Sequence, residues 1–294
     1  MNFAKGKFIL LLGLLISAAA NPLSLRASTI RDDVPDSSYT DLAASPDYAA
    51  VGTFVGGLYT GCGVLIAPDW VLTAAHLLIL TSSSSGTFTI GGTAYTSDAV
   101  FKDPAWDNNA LDGNDFGLVH LSTPVTSVTP VTLFTGTAPL GQTGTWVGYG
   151  FTGTGLTGYQ TSLGIQKRAF QNVLDGTFQN SLLLGSDFDS PETSAYNLWG
   201  DATPLPLEGC VAPGDSGGGV FLTIGSQTFL AGVISFESRK GGASANSSYG
   251  DLSGAGLITA AAPWINSTVP EPSTSALLAG AGLALFFQRR FRKP

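Results

Sequence analysis

The chain has 294 residues, enough for one large all-β domain or two small ones. Its 38 glycines and its 12% of charged residues favour short strands and tight turns over long helices. A formal net charge of −8 argues against nucleic acid and anionic lipid as partners of the folded body, and two cysteines exclude a dense disulfide framework or cysteine-rich metal site.

Residues 1–27 have the pattern of an export signal. Two lysines precede an apolar run over Phe8–Ile16, and small residues follow that run. Ala18-Ala19-Ala20 and Leu25-Arg26-Ala27 both fit a cleavage site, and the residues leave that choice open. Because the apolar run is shorter than the ~20 residues of a membrane span, we predict export rather than an anchor.

A series of short strands is predicted after the polar, turn-rich segment 28–50. The strand candidates of the first half are 51–55, 62–66, 70–73, 87–91, 94–101 and 116–121. Residues 74–78 are predicted to form a single helical turn that carries His76. The other histidine, His120, alternates with apolar residues inside its strand, so we interpret it as structural.

The second half continues in the same style after a Thr/Ser/Pro-rich connection at 122–130, which we take as the crossover between the halves. Its strand candidates are 131–134, 143–149, 163–173, 181–184, 219–223 and 228–236. The long segment 186–209 is acidic and rich in proline. We interpret it as a solvated loop rather than a calcium site, because it lacks the dense spacing of oxygen ligands that calcium loops have.

Three segments carry the residue types of nucleophilic catalysis, each beside an apolar run. They read Trp-Val-Leu-Thr-Ala-Ala-His at 70–76, Asp-Phe-Gly-Leu-Val-His-Leu at 115–121 and Gly-Asp-Ser-Gly-Gly at 214–218. A serine hydroxyl becomes a nucleophile when a neutral imidazole takes its proton. A carboxylate on the other ring nitrogen fixes the imidazole tautomer and stabilises the imidazolium. The chain therefore offers a complete set of groups for acyl transfer.

In the order His76, Asp115, Ser216, these segments resemble the trypsin-like (chymotrypsin-fold) serine peptidases. The resemblance implies an all-β fold over residues 28–266: two Greek-key antiparallel six-stranded β-barrels and a short C-terminal helix near 261–265. The three side chains would form the catalytic triad between the barrels. The backbone amides of Gly214 and of the serine would form the oxyanion hole.

Other carboxylates compete for the role of the triad acid. Asp103, Asp107 and Asp112 lie in the irregular loop just before Asp115. We prefer Asp115 because the apolar strand that follows it, Phe116–Leu121, would hold it rigidly.

The resemblance also implies a substrate pocket. Ser235-Phe236-Glu237 resembles the family's Ser-Trp-Gly strand, which backs the catalytic aspartate and lines the primary pocket. Cys210 stands where trypsins carry the aspartate that binds Lys or Arg, so small or medium apolar side chains are the expected substrates. Glu237 would narrow the pocket or place a carboxylate near its mouth.

Two further expectations concern Asp215 and the cysteines. In the trypsin branch of the family, the residue at the position of Asp215 turns inward and pairs with a newly cut N-terminal ammonium. Ile30 is the candidate for that N-terminus, and the side chain of Arg31 is the alternative partner. Cys62 and Cys210 each lack the partner that the family provides, so a Cys62–Cys210 disulfide and two free thiols remain open alternatives.

The tail at 267–294 is the second specific signal. Val269-Pro270-Glu271-Pro272 precedes an apolar run at 276–287 and a basic end, and together they resemble the PEP-CTERM sorting signal of Gram-negative bacteria. An exosortase is expected to recognise and remove such a tail. The run is short for a stable membrane span, so a plain anchor with its basic end in the cytoplasm is the alternative.

The resemblance therefore implies an exported serine endopeptidase of the cell envelope or the extracellular space, which cleaves polypeptides through an acyl-enzyme. It needs no metal or organic cofactor. We expect a monomer that binds no nucleic acid and meets the membrane only through its tail. The alternatives are a catalytically silent trypsin-like binding or matrix protein, and an esterase on the same fold.

Overall fold

The computed structural model describes residues 28–79, 86–162, 166–180, 182–200, 203–239 and 245–270. The predicted export signal and most of the predicted sorting tail lie outside these residues. Within them, strands of three sheets account for most of the regular structure. No helix in this part of the chain has both the length and the apolar character that crossing a membrane requires.

A strand and a helix fill the segment that the sequence indicated to be turn-rich. Strand β1 (Thr29–Ile30) is followed by helix α1 (Asp36–Ala43). An eight-residue helix is marginal on its own, and α1 is fixed by tertiary contacts. The guanidinium of Arg168, whose side chain is 1% exposed, binds both carboxylate oxygens of Asp36 at 2.5 and 2.7 Å. Tyr39 is fully buried on the same helix.

The first half of the chain forms a closed barrel with the strand order β2-β3-β4-β7-β6-β5. Its strands are β2 (Val51–Gly56), β3 (Tyr59–Ala67), β4 (Trp70–Thr73), β5 (Gly86–Ile90), β6 (Thr93–Lys102) and β7 (Gly117–Leu121). Large apolar side chains such as Phe54, Leu72 and Phe88 are buried inside it. The predicted six-stranded first barrel is thus confirmed, with strand ends displaced by a few residues.

The second half forms two further sheets. Its strands are β8 (Thr132–Leu133), β9 (Thr143–Gly148), β10 (Thr152–Thr154), β11 (Gly158–Gln160), β12 (Arg168–Val173), β13 (Gly176–Phe178), β14 (Leu183–Asp187), β15 (Gly209–Cys210), β16 (Gly219–Ile224), β17 (Gln227–Arg239) and β18 (Asp251–Leu257). The larger sheet has the order β12-β9-β16-β17-β18-β14-β13, with β8 beside β17, and the smaller has the order β11-β10-β1-β15.

The larger sheet is a curled half-barrel, where the sequence led us to expect a second closed barrel of six strands. In the described part of the chain, the edge strands β12 and β13 do not pair with each other, so the sheet stays open. The remaining strands instead recruit β1 from the N-terminal segment into a separate sheet.

One apolar cluster spans the two halves, beside a second cluster that lies mostly in the second half. Helix α2 (Ile258–Thr268) closes the chain where we expected a short C-terminal helix, and it buries Ile258, Ala261 and Ile265. These side chains belong to one cluster with residues of both halves, such as Leu118 of β7 and Val233 of β17. The halves are therefore packed rigidly against each other, which fixes the geometry of any site between them.

Candidate active site

His76 of the first motif and Asp115 of the second motif lie together at the ends of two paired strands. His76 lies on a 3-10 turn directly after β4, and Asp115 lies just before β7; the pairing of Thr73 with Gly117 brings these ends together. His76 Nδ1 lies 2.7 Å from Asp115 Oδ2, and the His76 backbone N–H donates to Asp115 Oδ1 at 2.9 Å. Because a carboxylate only accepts, the ring proton lies on Nδ1.

A third donor completes the surroundings of the buried carboxylate. The pairing of β17 with β18 shifts register between Ile234 and Phe236, and the intervening Ser235 donates its hydroxyl to Asp115 Oδ2 at 2.5 Å. Bulges of this kind commonly re-aim a side chain beside a site. Asp115 is fully buried, whereas the imidazole of His76 keeps 25% of its surface exposed. The pair is thus rigid at the carboxylate and accessible at the ring.

The competing carboxylates of the preceding loop have local hydrogen-bond partners. Asp103 and Asp107 accept backbone N–H groups from residues two positions further on. Asp112 accepts the side-chain amides of Asn109 and Gln179. The structure therefore brings Asp115 to the histidine and leaves the other three in the loop.

The Gly-Asp-Ser-Gly-Gly segment is a tight turn that exposes two amides. Gly214 has φ +98° and Gly217 has φ +81°, conformations that favour glycine. A Cβ on Gly217 would lie 2.1 Å from the Cys62 carbonyl oxygen, so a larger residue does not fit. Within the described residues, the N–H groups of Gly214 and Ser216 donate to no other part of the chain, while Gly217 and Gly218 donate to carbonyl oxygens.

Two cavities flank Ser216. The larger has a volume of about 390 Å³ and is lined by Ser216, His76, Gly214 and a set of mainly apolar side chains. The smaller has a volume of about 130 Å³ and is lined by Ser216, by residues 211–213 and by Ile234, Phe236 and Glu237 of β17. The serine and the histidine thus face one common space.

The residues expected to line the substrate pocket divide in two. Phe236 and Glu237 line the smaller cavity. Cys210 and Ser235 do not: Cys210 is fully buried in a cluster with Phe188 and Tyr249, and the Ser235 hydroxyl donates to Asp115. The carboxylate of Glu237 accepts a hydrogen bond from the Ser247 hydroxyl, and burial raises its pKa.

Ser28, and neither Ile30 nor Arg31, is the partner of Asp215. The Ser28 hydroxyl donates to Asp215 Oδ2 at 2.9 Å, and the Ser28 backbone N–H also donates to this carboxylate. The amides of Gly150 and Ala212 add two more hydrogen bonds at 2.8 and 2.9 Å. Burial nevertheless raises the pKa of Asp215 to about 6.

The expected activation partners lie elsewhere. Ile30 is held in β1 between β10 and β15, and its side chain is buried in the core of the second half. The guanidinium of Arg31 binds Asp33 at 2.6 and 2.9 Å and the Leu205 carbonyl at 2.8 Å. The sequence contained a signal for the correct residue, because Ser28 directly follows one of the two candidate cleavage sites.

Of the two alternatives for the cysteines, the structure has the free thiols: Cys62 and Cys210 are both unpaired and buried. The Cys62 thiol donates to the Gly214 carbonyl and accepts the Tyr149 N–H, each at 3.2 Å. Cys210 Sγ accepts the Ser253 hydroxyl at 3.4 Å instead. Burial raises the pKa of both thiols, so each is held in its neutral, unreactive form.

The acidic segment 186–209 is solvated only in part: three of its carboxylates fold inward, while Glu192 is exposed. Asp187, Asp189 and Glu208 are between 1% and 4% exposed. Glu208 accepts the N–H groups of Asp189 and Leu205 at 2.6 and 2.5 Å, and burial raises its pKa to about 8. Across the described residues, no group of three or more His, Cys, Asp or Glu side chains is suited to a metal ion.

Comparison with protein families gives two matches. The family described as Trypsin matches residues 43–265, which include the histidine, aspartate and serine segments. The PEP-CTERM protein-sorting motif matches residues 268–293. No curated protein matches the chain significantly. The first family match begins at the last residue of α1, so the segment that supplies Ser28 lies outside the family pattern.

Proposed function

Since this chain belongs to the trypsin family, we propose that it is a serine endopeptidase with the triad His76, Asp115 and Ser216. The observation that carries the proposal is the contact of the imidazole with a fully buried carboxylate, on the wall of a cavity that the serine also lines. This arrangement supplies a base, a group that orients the base, and a nucleophile within one space.

The proposed reaction proceeds through an acyl-enzyme. His76 takes the proton of the Ser216 hydroxyl as Oγ attacks the peptide carbonyl carbon, and Asp115 stabilises the imidazolium that forms. The N–H groups of Gly214 and Ser216, which have no acceptor within the described protein, are available to the oxyanion. The leaving amine takes the proton from the imidazole, and a water then releases the acyl group by the same steps in reverse.

The smaller cavity supports a preference for small or medium apolar side chains on the acyl side of the scissile bond. Its volume is about 130 Å³, and most of its lining is apolar. Glu237, the one carboxylate that the described residues place in the lining, accepts a hydrogen bond from Ser247. A substrate guanidinium or ammonium would lose its hydration in this cavity, and Glu237 would have to give up its hydrogen bond with Ser247 to pair with it, so a cation is disfavoured.

Removal of the export signal after Ala27 would create the active N-terminus. The ammonium of Ser28 would then stand where its backbone N–H now donates to Asp215, and would neutralise a buried carboxylate that meets no cation in the described part of the chain. Because Asp215 adjoins Ser216, this pairing would hold the amides of 214–216 in place. Export and activation would thus be one event, without a separate activating protease.

The sorting motif indicates export and association with the envelope of a Gram-negative cell. We propose that an exosortase-type enzyme processes the tail, and that the peptidase domain acts as a monomer outside the cytoplasm on polypeptide substrates. The membrane would be met only through the tail.

Turnover of matched substrates tests the proposal. The protein beginning at Ser28 is expected to hydrolyse a peptide with alanine before the scissile bond, and Ser216→Ala is expected to lower kcat by about 10⁴-fold or more. Hydrolysis of the corresponding ester alone would favour an esterase. No turnover of either substrate by the folded protein would favour a catalytically silent binding protein.

A further inference from the structure

Two cavities of unequal size meet at Ser216, and only one of them touches the imidazole. The larger, about 390 Å³, is lined by His76 and its neighbour Leu77 from the first barrel, and by Tyr149, Phe151 and Pro213 from the second half. The smaller, about 130 Å³, is lined by Ser216 and by other residues of the second half. The site is therefore wider on the side of the His76 imidazole, which carries the proton.

The chemistry assigns each cavity to one side of the scissile bond. In acyl transfer the leaving amine receives its proton from the imidazole, so the residue after the scissile bond lies on the imidazole side. We infer that the larger cavity binds the side chain that follows the scissile bond, and that this enzyme selects substrates with a large apolar or aromatic residue there. The inference rests on the proposed function and adds the substrate class.

The walls of the larger cavity favour an apolar occupant. Tyr59, Leu77, Tyr149 and Phe151 provide three aromatic rings and one aliphatic side chain. Apart from the imidazole of His76, the lining has no titratable cation or carboxylate among the described residues; its other polar side chains are hydroxyls. A charged side chain would lose its hydration there without gaining a partner.

The cavity is already formed before a substrate binds. The Tyr149 N–H donates to Cys62 Sγ at 3.2 Å, and the Phe151 N–H donates to the Pro213 carbonyl at 2.8 Å. The Phe151 ring stacks on Tyr159, with the ring centroids 6.2 Å apart. Because the fold already holds these groups in place, little conformational entropy is lost on binding. The apolar contact with the substrate side chain can therefore contribute to selectivity.

Acyl transfer to added amines measures this cavity directly. One ester substrate with an alanyl acyl group forms the same acyl-enzyme in every reaction, which then partitions between water and an amino-acid amide. In the second path the amide's amine nitrogen attacks the carbonyl carbon, the bond to Ser216 Oγ breaks, and His76 passes the amine proton to Oγ. Product analysis gives the capture efficiency of each amide.

Phenylalanine amide and leucine amide are expected to capture the acyl-enzyme about tenfold more efficiently than glycine amide, as a well-fitted apolar side chain would. Aspartate amide and lysine amide are expected to do no better than glycine amide. Equal capture of all amides, or preferred capture of a charged one, would overturn the inference, while hydrolysis of the alanine peptide described above would still support the proposed function. Absence of ester turnover would instead refute the proposed function itself.

Two wall variants with a matched control locate the effect. Tyr59→Ala and Phe151→Ala are each expected to reduce the ratio of phenylalanine-amide to glycine-amide capture several-fold. Both captures are measured in the same variant, so the ratio is independent of the overall rate. Leu58→Ala alters the neighbouring residue, which is 85% exposed and outside the cavity lining, and is expected to keep the original ratio. An unchanged ratio in both wall variants, or an equal fall in the control, would overturn the assignment.

Discussion

Replacing Asp115 by asparagine keeps the shape of the side chain and removes one acceptor. Asp115 Oδ2 faces His76 Nδ1 and the Ser235 hydroxyl, while Oδ1 faces the His76 backbone N–H. An amide has one acceptor oxygen and one NH₂ group, so at least one of these donors would meet another donor. If the NH₂ group faces Nδ1, the ring proton must move to Nε2, and the imidazole can no longer accept the serine proton.

The expected loss follows from that tautomer. Fixing the wrong tautomer costs about 10⁴-fold in kcat, or about 5.4 kcal/mol at 1.36 kcal/mol for each power of ten. The assay is peptide hydrolysis at neutral pH, with thermal unfolding measured in parallel to show that the variant is folded. Asp112→Asn is the matched control, because among the described residues the Asp112 carboxylate accepts from the side-chain amides of Asn109 and Gln179 and does not contact His76.

A folded Asp115→Asn variant within about tenfold of the parent kcat would refute the assignment, since the tautomer argument requires several powers of ten. A large loss of kcat in Asp112→Asn, with little loss in Asp115→Asn, would instead assign the role of the triad acid to Asp112.

Three further outcomes are expected. Ser235→Ala should lower kcat about tenfold or more, because it removes a charge-assisted hydrogen bond worth ~1.5–3 kcal/mol from the buried carboxylate; an unchanged rate would count against a positioning role. Thiol titration without reductant should find Cys62 and Cys210 unreactive in the native protein and both reactive after unfolding, whereas a disulfide would leave none. In a form extended upstream of Ser28, the pKa of Asp215 is raised from 3.8 to about 6. The free energy of unfolding of that form should therefore fall as the pH rises from about 4 through 6. In denaturant titrations between about pH 4 and pH 7, a form beginning at Ser28 should lose less of this free energy. Parallel curves for the two forms would contradict the ammonium pairing.

Local patterns made the strands of the first half predictable, whereas the closed barrel and the histidine–aspartate contact were predicted from the family resemblance. The apolar strands before His76 and after Asp115 are short and regular, and antiparallel pairing of such strands brings their ends together. The position of Ser235 beside the aspartate could be predicted only from the family resemblance, because the direction of its side chain depends on a bulge in the long strand β17.

The errors arose where a residue depends on contacts that its local sequence does not indicate. Ser28 and Asp215 are 187 residues apart, and β1 has two residues, too few to show a strand period. Helix α1 depends on the ion pair of Asp36 with Arg168 rather than on its own sequence. Likewise, Glu208 is acidic and lies in a loop, which predicts exposure, but the backbone N–H groups that it accepts can be identified only in the folded chain.

The most direct measurement of the central claim is covalent labelling of the serine. The folded protein beginning at Ser28 is treated with a fluorophosphonate, and the modified residue is located by peptide mass spectrometry. The account predicts one adduct per chain, on Ser216, and no adduct in a folded His76→Ala variant under the same conditions, because the hydroxyl then lacks its base. An adduct on another residue, equal labelling of the His76→Ala variant, or no labelling of the folded parent protein would contradict it.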